Sequence, residues 1–484
     1  MSAHSTVEST VTSRLEQRVD SRRWYALAVM LLPTLLITLN TYMIQVALPS
    51  MQNSLHASFS EAQLIVAGYS LGLAMALIVS GKLGDMYGRK RLLVIGVITF
   101  TVTAALGGLA SDPTILIMIR IMQGLAAALI QPQVLSLMQT SFLPQEKALA
   151  FGIYGAVIGV GFAFGLLLGG MLVNLNVFEL GWRTVFFFNV PFGLLVLLCL
   201  PILPETQGDR QQHIDWLGAV LLITGLFMLI FPLSEGQKQG WPLWTWVSML
   251  LALPVMNVFA AVENRKRQLG RLPLIDLTIF RLRPFSVGLF TVSVIYLNMF
   301  SFFFVLSYYV QFGLHWDVQA TGMVFLPLGI GYFLTSLVSS RIVRKWGLRV
   351  LKIGALLMAI GNFSLIWSIH IDASHMLHVR NIVVLLVYGF GLGMVTTPLF
   401  SVVLGAVPEE AAGTGSGLLT TCTYLANSFG VALIGILFSS MLGRSLVEAQ
   451  LTDYVRAFSV SLGASGGLAL AGWVCLCFLP QHRR

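Results

Sequence analysis

The sequence predicts an all-α membrane protein of about fourteen transmembrane helices. Hydrophobic residues fill 56% of the 484 positions and charged residues only 10%, against about 25% charged in soluble domains. Mean hydropathy is +0.83. Apolar runs of spanning length, about 17–25 residues each, follow one another along the chain, and the longest connection, Glu263–Phe285, is shorter than a folded domain of about 50 residues. The runs are continuously apolar, whereas barrel strands would alternate over about ten residues, so helices are expected.

The polar, mixed-charge segment Met1–Arg23 comes first. The run that starts at Trp24 is too long for a signal-peptide core and has no A-x-A-like cleavage site after it, so it reads as an uncleaved first span. Spans are predicted near 24–48, 62–81, 92–110, 114–138, 148–173 and 184–203, then 216–233 and 243–262. Six more follow near 286–310, 320–340, 350–369, 382–404, 416–439 and 458–479.

Charge placement orients these spans. Of the 29 Lys and Arg, all but six fall at one side if the N-terminus is cytoplasmic. Arg183, Lys238, Arg380, Arg444 and Arg456 fall on the other side, and Arg120 lies within the fourth span. This bias predicts an even span number with both termini cytoplasmic. The net charge of +9 is then topogenic. No basic face interleaved with exposed aromatics suggests a nucleic-acid partner. Cys199, Cys422, Cys475 and Cys477 lie in apolar runs without metal-ligand spacing and read as small apolar filler.

The segment Gly81-Lys-Leu-Gly-Asp-Met-Tyr-Gly88-Arg-Lys after span 2 aligns with Ser340-Arg-Ile-Val-Arg-Lys-Trp-Gly347-Leu-Arg after span 10. An internal repeat of two six-helix halves, separated by an extra pair, explains that spacing and is a carrier signature. The expected division is a tail at 1–23, a first bundle at 24–203, an inserted pair and linker at 204–285, a second bundle at 286–479 and a tail at 480–484.

Several motifs carry chemistry. Gly81, Gly84 and Gly88 are expected to let the chain turn tightly between two helices, Asp85 to accept hydrogen bonds from helix N-termini or basic residues, and Arg89–Arg91 to pin the loop to the cytoplasmic side. In span 4, Arg120, Gln123, Ala127 and Gln131 share one helical face, with Gly124 beside them. A buried arginine is costly and needs a partner or an aqueous cavity. In span 5, Gly161, Gly165 and Gly169 recur every four residues, a spacing that lets helices approach closely.

On these residues the chain resembles the major facilitator superfamily. The loop motif Gly81–Arg91 matches the superfamily's loop 2–3 motif over its length, and Arg120-Ile-Met-Gln-Gly124 is similar to its antiporter motif in span 4. The span 5 glycines resemble a second antiporter motif, whose Gly-Pro step is Gly165-Leu166 here. Gln45-Val-Ala-Leu-Pro49, Trp182-Arg-Thr-Val-Phe-Phe-Phe-Asn-Val-Pro191 and Leu274-Ile-Asp-Leu-Thr-Ile-Phe280 are similar to the fourteen-helix drug:proton antiporter branch. The resemblance implies a major facilitator fold in the plasma membrane, efflux of small organic compounds by alternating access, and the Asp85 loop acting as a cytoplasmic latch.

One departure concerns energy coupling. Where the family's span 1 usually carries an aspartate nine residues before the proline, this chain has Asn40, and an amide does not exchange a proton near pH 7. No acidic residue sits near the middle of a span: Glu61 is at an outer mouth, and Asp215 and Glu263 are at inner ends. The resemblance implies a proton-driven carrier without other cofactors, while Asn40 favours a proton-independent facilitator or uptake carrier. With Arg120 the only charge deep in a span, a neutral or weakly anionic amphiphile is expected over a quaternary cation.

The fold implied by the resemblance lines its cavity with the first and fourth helices of each half. In span 1 these offer Asn40, Thr41 and Gln45, and in span 4 Arg120, Gln123 and Gln131. Span 9 offers Tyr296, Asn298, Tyr308 and Tyr309, and span 12 offers Tyr388 and Thr396. Phe300, Phe302, Phe303 and Phe304 are expected to face lipid or neighbouring helices. A membrane-embedded enzyme would need a nucleophile–base set or metal ligands within spans, and a primary pump a nucleotide-binding loop; neither pattern occurs, so neither catalysis nor a nucleotide partner is expected. The solute's identity and the number of subunits are not written in the sequence.

Overall fold

A computed structural model describes residues 22–203, 215–270, 273–405, 407 and 412–479. The tail segments 1–21 and 480–484 lie outside the described residues, as do Arg14, Arg18, Arg210, Arg271, Arg483 and Arg484. Fourteen helices long and apolar enough to cross a membrane are present among the described residues. They are α1 (Arg22–Ser54), α2 (Phe59–Tyr87), α3 (Arg89–Gly108), α4 (Pro113–Ser141), α5 (Pro144–Leu175), α6 (Arg183–Cys199), α7 (Trp216–Lys238) and α8 (Leu243–Gln268). The second set is α9 (Arg283–Tyr308), α10 (Val318–Trp346), α11 (Arg349–Ile371), α12 (Val379–Leu404), α13 (Ala412–Leu442) and α14 (Leu451–Phe478). Most run past the predicted spans by a turn or more, because helices extend beyond the hydrocarbon layer that sets the apolar run. A π-helical turn, Tyr309–Gly313, continues α9.

Within the first six helices, α2 lies along α4, α1 along α5, and α3 between α4 and α6. In the last six, α10 lies along α12, α11 against α12 and α14, and α9 against α13 and α14. The two sets meet where α5 packs on α10 and α2 on α13. Helices α7 and α8 pack on each other, with α7 reaching α2 and α13; α8 leaves Leu243, Trp246, Leu250 and Leu253 exposed, as a lipid-facing helix does.

Glycine decides the closest contacts. A Cβ on Gly124 would stand 2.0 Å from the Tyr69 carbonyl oxygen, and one on Gly72 2.4 Å from that of Ile121, so α2 and α4 meet backbone to backbone. The second half repeats this between α10 and α12. There a Cβ on Gly389 would lie 2.2 Å from Leu328 O, and one on Gly331 2.5 Å from Leu386 O. The α5 stripe faces α1: Cβ atoms on Gly161, Gly165 and Gly169 would meet Thr38, Tyr42 and the Met43 carbonyl at 2.8, 3.0 and 2.6 Å. In a bilayer, where apolar burial does not drive helices together, such approach is what holds them.

The loop after α2 differs from the expected triple-glycine turn. Helix α2 runs unbroken through Gly81 and Gly84 to Tyr87. Only Gly88 turns the chain, at φ 98°, and Gly347 does the same in the repeat at φ 60°. Gly84 instead makes room for Gln133, whose Oε1 lies 1.9 Å from where a Cβ would be, while Gly81 has open space around it. Glu61 belongs to a cap: its carboxylate accepts from Ser58 N at 2.8 Å, and Ser58 Oγ accepts from Glu61 N at 3.3 Å.

Candidate functional site

At the end away from the basic loops, α1 and α9 are sewn together. Ser307 Oγ donates to Gln45 O at 3.2 Å, Tyr308 OH to Gln52 Oε1 at 2.5 Å, and Gln311 Nε2, in the π turn, to Val46 O at 2.8 Å. Phe59 of α2 sits edge-on to Tyr308 at 5.1 Å between ring centroids. Below this seal, Tyr42, Phe162, Phe303 and Tyr332 bring one ring each from α1, α5, α9 and α10. Phe162 lies 4.7 Å from Tyr42, 5.4 Å from Phe303 and 4.6 Å from Tyr332.

Toward the basic end the interface becomes partly open. Gln131, Tyr154, Tyr296, Thr397 and Tyr424 are half-buried, while Gln45, Gln52, Ser307 and Tyr308 in the seal are buried. The polar interface between the halves is therefore less tightly closed on the basic side. Tyr424 OH donates to Gln131 Oε1 across it at 3.0 Å, with Tyr154 beside Gln131 and Tyr332 beside Thr396 and Thr397. Nearer the seal, Asn427 Nδ2 donates to Ser70 Oγ at 2.6 Å and Ser428 Oγ to Ala67 O at 3.0 Å, holding α13 to α2.

Arg120 is 1% exposed. Its Nε donates to Ile65 O at 3.0 Å, and its Nη1 to Asn40 Oδ1 at 3.0 Å and Gln123 Oε1 at 2.6 Å. Its guanidinium carbon lies 4.2 Å from the centroid of the Tyr69 ring. Three oxygens and one π face thus solvate a charge that has no carboxylate partner among the described residues, and Arg120 ties α1, α2 and α4 into one unit. Asn40 occupies the arginine as an acceptor, while Asn40 Nδ2 and Gln123 Nε2 have no acceptor among the described residues.

Other expected lining residues lie elsewhere. Tyr388 OH donates to Asn298 Oδ1 at 2.8 Å, Asn298 Nδ2 donates to Ser465 O, and Tyr388 stacks on Phe302 at 4.2 Å, so this pair is buried among α9, α12 and α14 rather than in the cleft. Tyr308 belongs to the seal, and Tyr309 donates to Ala373 O at 2.9 Å while stacking on Phe458. The reason is angular: Tyr296, Phe300 and Phe303 share the face of α9 that looks to the centre, and Asn298 and Phe302 look away from it. Thr396 is 3% exposed and Thr41 half-buried; each donates to its own helix, at Leu392 O and Ile37 O. Phe300, Phe302, Phe303 and Phe304 are all buried against other helices and none faces lipid. Tyr69, Tyr154, Tyr332 and Tyr424 were not expected, because α2, α5, α10 and α13 stand outside the first-and-fourth-helix rule, and Tyr42 of α1 lies one position past Thr41, in the ring cluster with Phe162 and Phe303.

At the basic end, Arg89 donates from Nη2 to Asp85 Oδ1 at 3.0 Å and from Nη1 to Ser136 O at 3.3 Å, fastening the loop to α4 of its own half. No group of His, Cys, Asp and Glu among the described residues has the arrangement to hold a metal ion.

The seal supplies a test of its own. Tyr308→Phe removes one hydrogen bond, worth about 0.5–1.5 kcal/mol net, and shifts the closed-to-open balance at that end about two- to tenfold. In a background with the four native cysteines replaced, a cysteine at Thr41 is expected to react faster, by that factor, with an impermeant maleimide added from the sealed side. An unchanged rate would remove Tyr308 from the seal.

The Major Facilitator Superfamily profile matches residues 30–431. A probable actinorhodin transporter of Streptomyces coelicolor is 34% identical over 448 residues, 92% of this chain and 77% of that one. Puromycin resistance protein pur8 of Streptomyces alboniger is 31% identical over 483 residues, 96% of this chain and 94% of its own. A bacterial homologue of the human lysosomal transporter Spinster, solved inward-facing and unoccupied, superposes with a TM-score of 0.68 at 15% identity, covering 94% and 96% of the two chains. With fourteen helices fit to cross a membrane among the described residues, two repeated glycine-locked halves and a polar interface between them, the chain belongs to the Major Facilitator Superfamily and is a multi-pass membrane transporter, not an enzyme.

Proposed function

We propose that the protein exports neutral or weakly anionic aromatic amphiphiles from the cytoplasm across the bacterial inner membrane, by rocking its two halves around the tyrosine-lined cleft. The observation that carries this is the cleft wall: Tyr154, Tyr296, Tyr332 and Tyr424, with Gln131 and Thr397, offer ring faces and hydroxyl or amide groups but no carboxylate. Rings stack on aromatic solutes, and hydroxyls adapt to a solute's polar edge. The one nearby cation, Arg120, disfavours a second positive charge. The resistance and transporter names of the two Streptomyces relatives support export. The basic loops support a cytoplasmic opening with both termini inside, so the cleft loads from the cytoplasm, and the Asp85–Arg89 loop stiffens that mouth.

The test is flux in proteoliposomes against a panel of neutral, anionic and dicationic aromatics, with and without a pH gradient. Neutral or anionic aromatics are expected to move and dications to be excluded. Strong dication efflux would overturn the electrostatic reading. Asn40 Oδ1, already committed to Arg120, favours a second reading without proton coupling in span 1, and net flux unchanged on collapsing the gradient would select it.

A further inference from the structure

The transport core has no acid at its centre, yet a pair of buried carboxyl groups stands at the basic end, at the foot of the inserted helix pair. The Asp215 side chain is 5% exposed and that of Glu263 fully buried. Asp215 precedes α7 and caps it, accepting from Gly218 N at 2.8 Å. Glu263, on α8, accepts at Oε2 from Ile275 N of the linker at 2.9 Å. The remaining oxygens, Asp215 Oδ2 and Glu263 Oε1, receive no hydrogen bond from any donor described. They converge over Gly218, where a Cβ would lie 2.5 Å from one and 2.6 Å from the other, and the two carboxyls are within hydrogen-bonding reach of each other.

Two buried carboxyl oxygens that face each other without a donor between them need a proton. We propose that Asp215 and Glu263 share one proton, and that this site, rather than span 1, carries the protein's response to cytoplasmic pH. The proposal rests on the basic end being cytoplasmic. The charged neighbours fix which states are available. Lys266 of α8 pairs with Asp215 and stands 3.6 Å from Glu263 Oε1. Lys82 of α2 also feels both carboxyls and Lys266, and Arg267 is engaged by Asp276 of the linker at 3.6 Å. Burial raises the Asp215 carboxyl, but the hydrogen bonds with Glu263 and Lys266 outweigh it and hold it at about 2. Asp215 is therefore the ionised acceptor and the proton belongs to the pair as a unit.

The site also has a line to the gate. Lys82 Nζ, near the end of α2 that borders the cleft mouth, donates to Pro273 O at 2.6 Å. Two residues on, Ile275 N is held by Glu263. With the proton present, α7, α8, the linker and α2 are joined. Loss of the proton as pH rises puts two negative charges face to face over Gly218, which loosens the linker and, through Pro273, the inner end of α2.

The experiment uses the full chain in nanodiscs and two isosteric variants, Glu263→Gln and Asp215→Asn. Infrared difference spectra between acid and alkaline buffer are expected to show the carbonyl stretch of one buried, protonated carboxyl in the wild type, and to lose it in both variants. In proteoliposomes, Glu263→Gln, whose amide keeps a donor toward Asp215 permanently, is expected to flatten the dependence of flux on internal pH while flux at low pH stays within about twofold. A wild type without the band, or variants that retain it, overturns the shared proton. A band that disappears with the flux profile unchanged overturns its link to transport. The infrared arm needs no solute, so a failure of the proposed substrate class is distinguishable from a failure of this site.

Discussion

Arg120→Leu is expected to abolish transport, with at least a tenfold loss of flux at equal expression. Leucine removes the donors to Ile65 O, Asn40 Oδ1 and Gln123 Oε1 and strands three buried acceptors. A hydrogen bond to a charged group contributes about 1.5–3 kcal/mol, so even partial relaxation leaves a deficit of about 3 kcal/mol where α1, α2 and α4 meet. The cation over Tyr69 is lost as well, and Tyr69 is on the same helix that packs against α13. Arg120→Lys retains the charge but replaces a planar fork by a point donor, and intermediate flux is expected. Radiolabelled or fluorescent solute uptake into vesicles, with thermal stability in detergent measured on the same preparation, separates transport from folding. Full flux in the leucine variant would make Arg120 dispensable to the carrier cycle.

The second large effect is on folding. Gly124→Ala is expected to destabilise the first half, because the new methyl would stand 2.0 Å from a backbone oxygen, Tyr69 O, which cannot rotate away. Overpacking of this kind costs about 1–3 kcal/mol, and the helix separation it forces also pulls Tyr69 from Arg120. Gly81→Ala is the control, since nothing lies within 4 Å of that position. There the substitution adds helix propensity, about 1 kcal/mol, inside α2. Detergent-solubilised unfolding temperatures should fall for the first variant and hold or rise for the second; equal shifts would show that the glycine contact does not set the α2–α4 distance.

Architecture was legible because it is written in composition: apolar runs gave the helices, while Lys and Arg set an expected orientation. The Gly88 and Gly347 turns were visible through the repeat. The wall of the cleft was not, for a geometric reason. Asn298 and Tyr296 are two residues apart on α9, yet one is buried between α12 and α14 and the other faces the centre. Polarity says that a side chain avoids lipid but not which protein face it meets. Tyr424 and Tyr154 were not legible because they lie on α13 and α5, outside the first and fourth helices of each half. The Asp215–Glu263 pair is separated by 48 positions and converges only when α7 folds onto α8. The two acids were noticed singly, as residues at span ends, and the sequence offered no sign of their meeting.

The rings at the blind end of the cleft have an electrical consequence. A carrier sits in a membrane that holds a voltage, and a water-filled cleft reaching halfway through would short that voltage if its far wall were wet. Tyr42, Phe162, Phe303 and Tyr332 close that wall with interlocked carbon faces contributed by both halves. An ion there would shed its hydration and find no compensating charge, and an apolar constriction of this kind drains of water. The membrane potential therefore falls across this ring layer together with the hydrogen-bonded seal beyond it, and the idle carrier behaves as an insulator whose leak depends on keeping both closed.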